Sequence, residues 1–272
     1  GPYQANLRFG GGALFMNSSG TFNTAIGNST LTSATGSQNT ALGALVLTAT
    51  TTGEKNTGVG SGALYGNLTG NENVAIGPQT LYSNALGSRN IAMGYEALYT
   101  NNSNDNTAIG YQALRGASNS MNNNVAIGNE AGRSGNATFY NNTLIGQQAA
   151  LNATTANGAV VIGRQTGRIA ADGTGNVTGL TRSTIIGAFA SPLNTTSQDE
   201  IVIGYGADGL GDNTTVIGTT VTTKTRLYGD IDVAAGDVEV ADNTKGLILS
   251  SPDGTRYRVT VANGGTLTVT AV

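Results

Sequence analysis

Asn106-Thr107-Ala108-Ile109-Gly110-Tyr111-Gln112-Ala113-Leu114 decides the fold, because its first five residues return with small changes along most of the chain. The closing glycines are Gly10, Gly27, Gly43, Gly60, Gly77, Gly94, Gly110, Gly128, Gly146, Gly163, Gly187, Gly204 and Gly218. Most lie 16 to 18 residues apart; the exceptions are the intervals of 24 before Gly187 and 14 before Gly218. Thirteen returns at so regular a spacing mark a chain wound into stacked coils.

Each position of the core has a physical reading. The residue before the glycine is always large and apolar: Phe9, Ile26, Leu42, Val59, Ile76, Met93, Ile109, Ile127, Ile145, Ile162, Ile186, Ile203 and Ile217. One residue earlier the side chain is usually small, as at Ala25, Ala41, Gly58, Ala75, Ala92, Ala108 and Ala126. Adjacent strand residues point to opposite faces, so the strand is apolar on both sides and calls for a layer on each. A second pair, Ala or Thr followed by Leu, comes three residues after most glycines, as in Ala63-Leu64, Thr80-Leu81 and Ala113-Leu114. The spacing predicts two short strands and two turns per coil, a flattened parallel β-roll of about thirteen coils. At roughly 4.8 Å per coil it makes a rod roughly 60 Å long.

So thin a coil admits only one face of each strand to its interior, and the other needs a partner. Three chains around an axis would supply it; a monomeric solenoid with a thin core is the alternative. We assign the large row, Ile26, Leu42, Val59, Ile76, Met93, Ile109, Ile127, Ile145, Ile162, Ile186, Ile203 and Ile217, to the dry core. Asn opens the cores at Asn6, Asn23, Asn39, Asn56, Asn73, Asn90, Asn106, Asn124 and Asn142. Stacked coil on coil, these predict a side-chain amide ladder at a turn.

From Asn142 onward the small position becomes large (Leu144, Val161, Ile185, Val202, Val216), which predicts a change of packing. The long interval before Gly187 carries a polar insertion around Asp172-Gly173-Thr174-Gly175, read as an extruded loop. The domain reading is residues 1–2 as a cloning scar, 3–222 as the repeat domain, 223–229 as a neck and 230–272 as a C-terminal β module. Gly1-Pro2 thus carries the expectation that the native N-terminus is missing from this sequence. The module reads as a β-meander through Leu247-Ile248-Leu249, Tyr257-Arg258-Val259-Thr260-Val261 and Leu267-Thr268-Val269, forming a tip or trimerisation cap.

Composition excludes whole classes of chemistry. The 272 residues contain no Cys and no His, so there is no thiolate nucleophile, imidazole base or Cys/His zinc site. Charged residues make up 11% and the net charge is −3, which gives no reason to expect nucleic acid as a partner. No apolar run is long enough to predict a membrane-spanning helix, and no signal peptide opens the chain. Acidic residues are scattered; the one adjacent pair in the repeats, Asp199-Glu200, faces apart in a strand. The segments at Asp172 and at Asp208-Gly209-Leu210-Gly211-Asp212 lack the alternating oxygen ligands of a calcium loop. We expect no enzyme, no cofactor and no metal.

Tyr65, Tyr82 and Tyr99 lie five residues after their glycines and predict an aromatic ladder. Tyr95 and Tyr111, one residue after theirs, predict a second, with Tyr205 repeating the position further along. Aromatic rows flanked by amides are candidate glycan contacts; covering a turn or filling a subunit seam is the plainer use.

The Asn-Thr-Ala-Ile-Gly cores followed by Ala-Leu resemble the head repeats of trimeric autotransporter adhesins (YadA-like heads). The longer coil, as in Asn106 to Leu114, is similar to the version found in bacteriophage tail fibres. The ending Gly246-Leu247-Ile248-Leu249-Ser250-Ser251-Pro252-Asp253-Gly254-Thr255-Arg256-Tyr257-Arg258-Val259 also resembles the C-terminal part of phage fibre proteins. The resemblance implies a left-handed parallel β-roll, one per chain, in a homotrimer. It also implies attachment to a bacterial surface through a glycan or protein receptor, without membrane insertion, and contact with other virion tail proteins through flanking segments. No anchor barrel follows in this sequence, which favours a virion tail fibre, extracellular, over an adhesin head on a bacterial cell surface. A third expectation, an ice-binding solenoid, is weakened by Val74, Ile91 and Val125 interrupting the Thr row of Thr24, Thr40, Thr57 and Thr107.

Overall fold

The computed structural model describes residues 5–116, 120–135, 137–219, 247–250, 255–261 and 267–271. The chain divides into two compact units, Gly1–Thr225 and Arg226–Val272. The first is an all-β parallel solenoid of about twelve turns. Each repeat core forms a three-residue strand, from Leu7–Phe9 and Thr24–Ile26 through Thr107–Ile109 to Thr215–Ile217. Thirteen of them hydrogen-bond in one parallel sheet. The register is in phase with the repeat: Thr107, Ala108 and Ile109 pair with Val125, Ala126 and Ile127.

The interior takes the small face. Ala25, Ala41, Ala75, Ala92, Ala108 and Ala126 are fully buried, whereas the large row lies on the outside of the coil, half-buried or exposed, with Leu42 at 47% and Ile217 at 52%. This corrects the core assignment for Ile26, Leu42, Val59, Ile76, Met93, Ile109, Ile127, Ile145, Ile162, Ile186, Ile203 and Ile217 in the single chain. The opposite wall of the early coils is Leu31, Leu47, Leu64, Leu81, Leu98 and Leu114, all buried. A Leu across from an Ala fills so narrow a gap; two large rows would not fit.

The expected second strand is also corrected. Leu14, Leu31, Leu47, Leu64, Leu81, Leu98 and Leu114 have φ between 47° and 52°, so the Ala-Leu pair is a turn rather than a strand. Left-handed backbone is costly for a non-glycine residue, roughly 1–2 kcal/mol each. Here each such turn is held by its neighbour: the Leu81 N–H donates to the Ala97 carbonyl at 3.0 Å and Leu64 N–H to Thr80 at 3.0 Å.

A true second sheet begins only at residue 120. Ser120–Asn122, Thr138–Tyr140, Thr155–Asn157, Gly179–Thr181 and Thr196–Gln198 form five parallel strands, each two residues ahead of a strand of the large sheet. Their central residues Met121, Phe139, Ala156 and Leu180 are buried against Ala126, Leu144, Val161 and Ile185. The coil therefore widens ahead of the position where the strands change composition. The insertion before Gly187 closes as a short loop: Ile169 bridges Asn176 antiparallel, and Asp172 accepts from the Thr174 N–H at 2.8 Å.

Closing glycines are obligatory where coils touch. Gly110 has φ +136°, and a Cβ there would sit 2.3 Å from the Gly128 carbonyl oxygen.

In the second unit, Leu247–Ser250, Arg256–Val261 and Leu267–Ala271 form an antiparallel sheet, with Leu249 opposite Tyr257 and Val259 opposite Val269. Gly1-Pro2, the 223–229 neck and the turns at 252–254 and 263–265 lie outside the described residues.

Candidate functional site

The amide row predicted from the sequence forms the inner edge of one corner. Each Asn side-chain oxygen accepts the backbone N–H of the residue one coil on, at 2.8 to 3.2 Å from Asn6 through Asn23, Asn39, Asn56, Asn73, Asn90, Asn106, Asn124 and Asn142 to Ala159. In the early coils the Asn amide nitrogen donates to a carbonyl of the turn, such as Gly70 for Asn56 and Ser103 for Asn90, both at 2.8 Å; Asn124 and Asn142 donate instead to the strand carbonyls of Phe139 and Ala156. From Asn23 to Asn142 the ladder is buried and paired on both sides, so it holds the corner and is not free to bind a ligand. A second buried row, Asn67, Asn84 and Asn101, flanks the same turn: Asn67 shares the Gly70 carbonyl with Asn56, and Asn84 donates to Asn67 at 3.1 Å. Sequence reasoning missed it; recurrence seven residues after Gly60, Gly77 and Gly94 was the available signal.

Asn102 is half-buried, and its side-chain oxygen accepts the Ala85 N–H at 2.5 Å.

The tyrosines meet as ladders. Tyr65 and Tyr82 stack at 4.9 Å and 9°, Tyr82 and Tyr99 at 5.2 Å and 2°. Arg115 lies over Tyr99, 5.5 Å from its centroid. The faces of Tyr82 are spent on its neighbours, and one face of Tyr99 on a cation. Tyr95 and Tyr111 stack at 5.6 Å, and Glu96 holds the Tyr95 phenol above its ordinary pKa by hydrogen bond and charge. Glu96 also pairs with Arg115 at 2.7 Å and accepts from Gln112 at 2.7 Å.

A column of alternating charge runs along the corner just before the Asn ladder. Lys55, Glu72, Arg89 and Asp105 occupy one position of successive coils, with φ between 56° and 62°. Lys55 reaches Glu72 at 3.6 Å and Arg89 reaches Asp105 at 2.6 Å; Arg182 and Asp199 repeat the pairing further along. Asp199 is thus on the surface while its neighbour Glu200 is fully buried, accepting from Ser197 at 2.9 Å and the Gly211 N–H at 3.0 Å. The two carboxylates do not share a site. No cluster of metal-ligating groups occurs among the described residues, and no helix there is long and apolar enough to cross a membrane.

The two sheets present opposite chemistry outward. The outer residues of the thirteen strands are only Thr, Val, Ile, Leu, Met and Phe, with no charge from Leu7 and Phe9 to Thr215 and Ile217. The stripe is roughly 60 Å long and two residues wide, roughly 400 Å² or more, a size that marks interaction surfaces. The outer rows of the five-stranded sheet are instead Thr138, Thr155, Gly179 and Thr196 beside Asn122, Tyr140, Asn157, Thr181 and Gln198. No protein-family model, curated protein or solved structure matches the chain.

Proposed function

We propose that this chain is a structural and receptor-binding segment of a homotrimeric fibre, a virion tail fibre, that attaches to a bacterial surface. The observation that carries the reading is the uncharged outer face of the thirteen-stranded sheet. A row such as Ile76, Met93, Ile109 and Ile127, left facing water, forfeits burial worth about 25 cal/mol per Å². Three copies turning this face to a common axis bury it along the whole rod and leave the polar faces outside. The roles of attachment and virion location come from the resemblance to phage fibre and adhesin-head repeats. Three identical chains then give avidity from weak sites repeated around the rod.

Mass in solution tests the assembly. Light scattering should give about 82 kDa, three times the 27.4 kDa chain. Two variants of one strand separate the faces. Ile109→Asp should release 27 kDa monomers that keep the β circular-dichroism signature, whereas Ala108→Asp, inside the coil, should lose the signature itself. A wild-type mass of one chain overturns the trimer.

A further inference from the structure

We infer that the outer face of the five-stranded sheet carries a binding notch for one ring of a neutral, polyhydroxylated glycan, centred on Gly179. The inference rests on the attachment reading above and names its ligand class and site. In the register of the sheet, Thr155, Gly179 and Thr196 stand side by side in a row otherwise made of hydroxyl residues. A space of about 170 Å³ lies over this glycine, lined besides Gly179 by Thr155, Thr181, Thr196, Ser197, Gln198 and Asp212.

The backbone conformation does not demand this glycine. Its φ is not in the left-handed region, and an added Cβ would meet only side-chain atoms, Thr196 Cγ2 at 3.2 Å and Thr155 Oγ1 at 3.3 Å, each of which would have to give by a few tenths of an ångström. Gly58, the middle residue of the strand Thr57–Val59, is different: its Cβ would collide with Val46 Cγ1 at 2.5 Å. A Thr at 179 would continue the row and suit a strand better.

The lining chemistry narrows the ligand. Hydroxyls of Thr155, Thr181 and Thr196, the Gln198 amide and the Asp212 carboxylate offer mixed donors and acceptors, which vicinal sugar hydroxyls match. An anionic ligand meets Asp212, while the nearby Arg182 guanidinium is already committed to Asp199 through two bonds. A protein partner would seek aromatic or Arg anchors, and none lines the notch. The groups are also set in advance: Asp212 Oδ1 accepts the Gln198 N–H at 2.9 Å, and the floor is paired sheet. Half-buried Tyr140, in the row of Asn157, Thr181 and Gln198, gives a neighbouring ring an apolar contact.

Saturation-transfer difference NMR on the full chain, with the methyl glycosides of glucose, galactose, mannose and N-acetylglucosamine as probes, tests the site. At least one should bind, with a dissociation constant of about a millimolar. Gly179→Thr should abolish the signal, and Asp212→Asn, which keeps the acceptor for Gln198, should weaken it about tenfold, both without change of mass or circular dichroism. Absence of transfer to every glycoside, or unchanged binding by Gly179→Thr, overturns the notch. Adsorption of labelled protein to a panel of bacteria separates this from the attachment reading. If wild type and Gly179→Thr adsorb equally, the notch is wrong and attachment stands. If wild type adsorbs to no cell while glycosides bind in the notch, attachment is what fails.

Discussion

The coils before residue 116 and those after residue 120 enclose the same kind of interior with the volumes exchanged between walls. Early coils set a small strand residue, such as Ala75 or Ala92, against a buried Leu in the turn, such as Leu81 or Leu98. Late coils set Leu144, Val161 or Ile185 on the strand, and the turn position shrinks to Gly132, Ala150 or Gly167. The exchange is compelled: a Cβ on Gly132 would already lie 2.7 Å from Leu144 Cδ1 and 2.8 Å from Leu114 Cδ2. The extra wall of Met121, Phe139 and Leu180 then needs its own strands, which is why the second sheet appears in this half alone.

That exchange can be broken most severely from the early side. Leu81→Ala leaves a hole opposite Ala75 and Ala92 and should cost about 3 kcal/mol. In a solenoid the loss stays local, so hydrogen exchange should speed up in the flanking coils while the late coils keep their protection. Uniform loss of protection would mean that the two regions are one cooperative unit.

Imposing the early pattern on a late coil should have a smaller effect. Gly132→Leu overpacks the site by about 2 kcal/mol, read as a lower thermal midpoint. Adding Leu144→Ala, damaging alone, should recover part of that loss, because the two side chains claim one volume. Additive losses in the double variant would refute the exchange.

The smallest effect belongs to the charge column, which both regions share. The Arg89 guanidinium, through its hydrogen bond first and its charge second, is itself held above its usual pKa by Asp105. The same hydrogen bond holds the Asp105 carboxyl below its usual range. The pair's contribution is therefore present above the ordinary carboxylate pKa and fades as pH falls through the lowered value. Both groups are solvent-exposed, so Arg89→Ala should shift stability less than either core change and only above that pH window.

Much of this was legible without coordinates. Periodicity placed every strand of the large sheet, and the Asn spacing located the amide ladder, since a residue that returns once per coil must stack on itself. Other features were hidden for stated reasons. The Ala-Leu pair has strand-like composition, and only the left-handed φ of Leu64 or Leu81 makes it a turn. The members of the alternating column, Lys55, Glu72, Arg89 and Asp105, stand sixteen or seventeen positions apart, so charge counting along the chain passes over it. The notch at Gly179 requires knowing that Thr155 and Thr196 are its neighbours, 24 and 17 residues away.

The sequence by itself determined the period, the strand positions and the alternation that sends Ala108 and Ile109 to opposite faces, because these follow from local chain geometry. It did not determine which face is inside. Both are apolar, and hydrophobicity has no direction of its own. Only closure of the coil decided it: a wall one Leu away leaves room for a methyl group on the strand and none for a second large side chain, so the Ile row is left outside.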